Sequence, residues 1–192
     1  MLERLKANFP LLHDRWDDYI SCFKRMQVAP KTILLKEGDI SHKAYLIEKG
    51  CLRVSFDKNG TDVTFQFFFE NSTVSSIESF TKGLPSEFSI ETVEACTLWW
   101  IDKTDIERIL NEVITIPAMR KQILNTMFER TINYMHHFLS FIRDTPEQRY
   151  LNLLEQKPYV VQRVPQHYIA SYLGISSVHL SRIKARIARK AS

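Results

Sequence analysis

Residues 168–186 read Y-I-A-S-Y-L-G-I-S-S-V-H-L-S-R-I-K-A-R. Ile169, Ala170 and Leu173 place apolar side chains at i, i+1 and i+4, one face of a short helix. Gly174 ends that helix, because glycine accepts the left-handed conformation a helix end requires. Ile175 fills the turn, and Ser176 caps the next helix by accepting a free backbone N–H. There Leu180 and Ile183, with Val178 or His179, share the inward side, while Ser177, His179, Ser181, Arg182 and Arg186 face outward. The pattern predicts a helix-turn-helix, whose second helix enters the major groove of DNA.

An ordinary helical hairpin packed on a core would show the same apolar spacing, and charge separates the two readings. Residues 143–192 hold nine Lys/Arg against three Asp/Glu, a net +6. The preceding 142 residues hold 17 basic and 19 acidic side chains, a net −2, so the chain's +4 comes from the end that carries the motif. A basic end on a near-neutral body is the electrostatic footprint of a phosphate-backbone binder. Ser176, Ser177, Val178, His179, Ser181, Arg182, Lys184 and Arg186 are the expected DNA-contacting residues. Arg182 is the base reader of first choice, since a guanidinium bridges guanine O6 and N7.

A chain of 192 residues suits one or two domains with a real core. No apolar run approaches the ~20 residues of a membrane span, and the first residues, M-L-E-R-L-K-A-N-F, carry no signal-peptide pattern. Cys22, Cys51 and Cys96 are scattered and odd in number, which predicts reduced thiols in a cytoplasmic protein. The enzyme motifs G-x-S-x-G, the Walker loop and H-E-x-x-H are missing, so no catalytic residue, metal or cofactor is expected.

Residues 1–26 show roughly helical spacing of Leu5, Phe9, Leu12, Trp16, Tyr19, Ile20 and Phe23. From 29 to 102 the chain changes character. Pro30, Gly38, Gly50, Gly60, Gly83 and Pro85 punctuate candidate strands at Thr32–Lys36, Lys43–Lys49, Cys51–Asp57, Thr61–Phe69, Ser89–Glu94 and Thr97–Asp102. Lys58-Asn59-Gly60 is a hairpin turn, and the whole implies an antiparallel roll. A short helix over 103–115 follows. Pro117 then opens a long one, on which Leu124, Met127, Thr131, Tyr134, Phe138 and Phe141 form a heptad seam. Packing on the chain's own roll would use such a seam too; a helix-turn-helix that needs a second half-site reader favours a parallel dimer. Thr145-Pro146-Glu147 restarts a helix, Lys157-Pro158 stops it, and Tyr159–Gln162 reads as extended.

This order resembles the CRP/FNR family of bacterial transcription regulators over essentially the whole chain. Residues 33–54, I-L-L-K-E-G-D-I-S-H-K-A-Y-L-I-E-K-G-C-L-R-V, are similar to the family's strand, E-G-D turn, Y-x-I and K-G-x-x-R-V. P-S-E-F-S-I-E-T-V-E, residues 85–94, resembles the Bacteroidetes-type branch more than the cyclic-AMP receptors. The resemblance implies an α+β chain in three parts. Residues 1–116 would be a helix plus a cyclic-nucleotide-binding-like roll (a double-stranded β-helix), 117–142 a dimerisation helix, and 143–192 a winged helix-turn-helix. It further implies a homodimer on a pseudo-palindromic operator, with RNA polymerase and a small effector as candidate partners and no role for a membrane.

The effector contacts depart from the family. Cyclic-AMP binders place a Gly-Glu pair before a short helix and an Arg-Ser pair after it, the arginine taking the cyclic phosphate. Here the first pair falls on Ser75 and Ser76, the second on Ser86 and Glu87, with Glu78 on the helix between. These five are the expected effector pocket. No arginine occurs between Arg53 and Arg108, so a degenerate roll that does not use cyclic AMP is expected. Iron–sulfur sensing lacks its cysteines, since only Cys22 lies near the N-terminus. Haem would have to use His42, His136 or His137, and isolated histidines are more often simple surface residues. The rival class is a non-DNA regulatory module that works through a protein partner.

Overall fold

The computed structural model describes residues 14–191. The amino-terminal helix expected over 1–26 lies partly on 1–13, outside the described residues. What is described of it is α1, Trp16–Ser21, which buries Trp16 and Tyr19. Tyr19 packs with Val113 and Met119, and its hydroxyl donates to Glu112 (2.9 Å). The expectation fails at Phe23–Met26. Lys24–Val28 is a strand, β1, paired antiparallel with β8 (Cys96–Asp102) from Lys24↔Trp100 to Val28↔Cys96. It edges its sheet and carries charge outward: Lys24 lies 4.5 Å from the Trp100 ring and Arg25 pairs with Glu48 at 2.9 Å. Charged edge strands resist pairing with other chains.

The remaining strands follow the Gly and Asn punctuation. They are β2 (Ile33–Leu35), β3 (Lys43–Lys49), β4 (Leu52–Lys58), β5 (Thr61–Phe68), the unforeseen two-residue β6 (Thr73–Val74) and β7 (Ser89–Thr92). One sheet runs β1-β8-β3-β6 and the other β2-β7-β4-β5, with every pairing antiparallel. Their inner faces bury Tyr45, Ile47, Leu52, Val54, Ile90 and Leu98 between them. Asn59 and Gly60 take positive φ (54° and 82°), as an Asn-Gly hairpin requires. Gly50 is irreplaceable: at φ 111° a Cβ would lie 2.5 Å from the Cys96 Sγ. Helix α2, Ile77–Lys82, leaves the roll between β6 and β7.

Helix α3 (Lys103–Val113) leads into α4 (Pro117–Arg143), which is 27 residues long and buries Met119 near its start. Thr145 and Gln148 form a reciprocal capping box at the head of α5 (Pro146–Gln156). Next come α6 (Pro158–Arg163), α7 (Gln166–Tyr172) and α8 (Ser177–Ala191). The extended reading of Tyr159–Gln162 is therefore corrected. Pro158 starts a helix there, and Val160 turns into the core instead of along a strand. With it go the strands of a wing: among the described residues after Arg143 the chain is helical, and the helix-turn-helix stands on α5 and α6.

The roll and the C-terminal helices share one core. Cys51, Phe67 and Val93 cluster with Tyr150, Leu153, Val160, Ile169, Leu173, Leu180 and Ile183. Polar contacts reinforce it. The Thr64 N–H donates to Ser171 Oγ (2.9 Å), and the Arg53 guanidinium sits 4.0 Å from the Tyr168 ring. Arg163 reaches Glu70 through two bonds of 2.9 and 2.7 Å and also meets Glu94. Hydrogen bonding to Arg163 holds the Glu70 carboxyl well below its usual range, at about 2.

Candidate nucleic-acid interface

Leu180 and Ile183 are 1% exposed, so α8 is pinned by its apolar face. The opposite face is open. Ser176, Ser177, Val178, His179, Ser181, Arg182 and Arg186 are all exposed, Val178 at 62%, and Lys184 is half-buried. Val178 thus belongs to the outward set, not the inward one. Ser176 Oγ accepts from the His179 N–H (3.2 Å), the cap the sequence implies. Gly174 takes φ 69°, and the Ile175 N–H closes the turn on the Ala170 carbonyl (3.0 Å). Arg186 and Lys190 both pair with Glu147 at the start of α5, at 2.7 and 3.1 Å. Arg182 has no such partner among the described residues, which leaves its guanidinium outward and uncommitted.

The apolar stripe of α4 is also open, and it is wider than the expected seam. Phe128 (62% exposed), Met135 (52%), Phe138 (65%) and Ile142 (70%) are all more than half exposed, and Met127, at 57%, lies beside them. With Leu124 and Thr131 they step by 4, 3, 4, 3 and 4 residues, a heptad line of their own. It shares Leu124, Thr131 and Phe138 with the expected seam, while Met127, Tyr134 and Phe141 flank it. Phe141 is partly claimed by its own chain: its ring lies 3.1 Å from where a Cβ on Gly174 would be, and Arg149 stacks on it at 4.7 Å.

The five expected effector residues differ in burial and in partners. Ser76 and Ser86, 2% and 3% exposed, do meet: Ser86 Oγ donates to Ser76 Oγ (2.9 Å) across the mouth of α2. Glu78 instead pairs with Lys82 on the exposed side of α2 (2.8 Å), Glu87 is exposed and Ser75 half-buried. Neither of the best-formed cavities among the described residues includes any of the five. One of these cavities lies where α4, α5 and α7 meet, among His137, Arg149, Lys157 and Tyr172. Scattered over three helices, these residues leave no local motif in the sequence. Among the described residues no His/Cys/Asp/Glu cluster could hold a metal ion, and no helix is long and apolar enough to cross a membrane.

Residues 25–113 match the family model of the cyclic nucleotide-binding domain. No curated protein sequence matches the chain. Several solved structures do. CLP of Xanthomonas campestris, a c-di-GMP responsive global regulator, is 15% identical with a TM-score of 0.72, covering 91% of both chains. FixK2 from Bradyrhizobium japonicum is 12% identical with a TM-score of 0.73, covering 88% of this chain and 86% of its own. A cyclic nucleotide-binding domain containing protein from Listeria monocytogenes is 17% identical with a TM-score of 0.69, covering 97% of this chain and 91% of its own. At such identities the likeness is one of fold, and it takes in roll, long helix and C-terminal helices together. Residues 25–113 therefore match the cyclic nucleotide-binding domain model, and the chain as a whole shares the fold of CLP and FixK2.

Proposed function

We propose that the chain is a sequence-specific DNA-binding transcription regulator that acts as a homodimer, without cyclic AMP as its effector. The observation that carries the reading is the outer face of α8. It is rigidly mounted through Leu180 and Ile183, capped by Ser176, and offers Ser177, Val178, His179, Ser181 and Arg182 to solvent with no acid among them. That face lies in the stretch, residues 143–192, that carries a net +6 against −2 for the rest of the chain. The open line of α4 supports the dimer, because monomers rarely expose so long an apolar stripe. Two recognition helices about 34 Å apart would then fill successive major grooves.

Arg182→Ala tests the face directly. It should cost about 1–3 kcal/mol of operator affinity and relax preference at one base pair per half-site. Electrophoretic shifts at two salt concentrations, on operators recovered by genome-wide capture, give both quantities. Unchanged affinity and preference would favour the rival module that acts through a protein.

The roll's own chemistry argues against cyclic nucleotides. Ser86 Oγ donates to Ser76 Oγ (2.9 Å), and no arginine lies between Arg53 and Arg108 in the sequence to take a cyclic phosphate. Cyclic AMP and cyclic GMP should bind no tighter than about 1 mM, about 4 kcal/mol of free energy. Titration calorimetry that returned micromolar affinity would overturn that assignment of the roll.

A further inference from the structure

The cavity at the junction of α4, α5 and α7 has a volume of about 370 Å³, within the size range of small-ligand sites. Its charge is lopsided. Arg143, Arg149 and Lys157 line it against a single carboxylate, Asp144, a net +2 before either histidine is counted. Asp144 is already engaged, accepting from Arg143 Nε (3.0 Å) and Asn152 Nδ2 (3.2 Å).

The two inner cations have no counter-ion. Arg149 donates from Nη1 to the Asp144 main-chain carbonyl (2.8 Å) and from Nη2 to the Leu173 carbonyl (2.9 Å). Neither acceptor carries charge, and its Nε is buried without an acceptor. Lys157 has no hydrogen-bond or ion-pair partner for its ammonium among the described residues, and burial lowers its pKa. Beside them the His137 ring stacks on Tyr172 (4.7 Å between centroids, 12° between planes), a flat aromatic wall whose His137 Nδ1 and Tyr172 hydroxyl lie 3.3 Å apart. Burial, then Lys157 and Arg149, lower the His137 pKa and favour its neutral form.

Desolvated cations without partners are costly, and a packed protein has cheaper ways to fill such a space. Arginine, lysine and a ring wall converging from separate elements match one kind of occupant, a compact polyoxyanion that accepts several charge-assisted bonds at once. We propose that this cavity is a binding site for a small phosphate-bearing anion, held by Lys157, Arg149 and Arg143. Because its walls come from α4 and from the helix-turn-helix support together, an occupant changes the angle between them and biases the spacing of the recognition helices. The binding site itself does not depend on the chain's reading DNA.

The probe is inorganic pyrophosphate, titrated into the full chain at constant ionic strength, read by calorimetry and by thermal shift. The wild type should saturate and gain melting temperature. Lys157→Gln should bind about tenfold more weakly or worse, since a charge-assisted contact is lost. Without pyrophosphate it should melt no lower than wild type, because no ion pair is broken. Lys157→Arg, which keeps the charge, should retain binding. Arg182→Ala should bind as wild type, which separates the cavity from the exposed basic face of α8. A non-saturating response in the wild type, equal affinity in Lys157→Gln, or loss of binding in Arg182→Ala would each overturn the proposal.

Discussion

Replacing Met135 and Phe138 together by glutamate should leave the chain a folded monomer, if it pairs through α4 as proposed. Both side chains are more than half exposed in the single chain, so the charges cost the protomer little. In a paired α4 they would face an apolar partner, and two copies bring four carboxylates to one seam. Burying charges against apolar surface costs several kcal/mol even after relaxation, enough to dissociate a micromolar dimer. Sedimentation should show the mass of one chain at every accessible concentration, with helical content unchanged. Operator affinity should fall by about two to four orders of magnitude, the avidity that two linked half-site readers supply. If the double variant still sediments as a dimer, α4 is not the seam.

Arg53→Met should be the most destabilising single change in the roll. Arg53 is 6% exposed, and its guanidinium joins Glu91 (2.8 Å), Asp62 (2.6 Å) and Thr64 (3.0 Å) beneath the Tyr168 ring. Arg53 and Glu91 are cross-strand partners on β4 and β7, so the pair sits in the sheet's own register. Without the arginine, the Glu91 side chain, 13% exposed, keeps a buried charge with no partner. Breaking one side of such a pair costs about 3–5 kcal/mol, whereas replacing both partners by apolar residues is often neutral. Urea unfolding should therefore show a large loss in Arg53→Met and a substantial recovery in Arg53→Met/Glu91→Leu. Equal losses in both variants would place the cost in lost packing on Tyr168 instead.

The parts of this fold that were legible in the sequence are those whose cause is local. Gly174, Ser176 and the spacing of Leu180 and Ile183 settle the helix-turn-helix within a few residues of one another, and Asn59-Gly60 settles a hairpin in two. Strand β1 was not legible. Tyr19, Ile20 and Phe23 continue a helical rhythm into it, and the partner that makes it a strand, β8, lies far along the chain. At Tyr159–Gln162 the extended reading gave way to a helix opened by Pro158, with Val160 buried in the cluster of Leu153 and Ile169. The apolar stripe of α4 follows from a heptad spacing in the sequence, while the contact of Phe141 with its own chain shows only in three dimensions. The hinge cavity draws its residues from 133–173, each bland alone.

The core that the roll shares with the C-terminal helices has a thermodynamic consequence. Cys51, Phe67 and Val93 lie in one cluster with Leu180 and Ile183, so the melting of either part strips the other of its apolar partners. The two should therefore unfold together, without a stable half-folded species between. The order of α8 is underwritten by strands it does not belong to. A substitution deep in the roll would reach α8 as a change in the fraction of molecules folded at all, with no alteration of the helix's own surface.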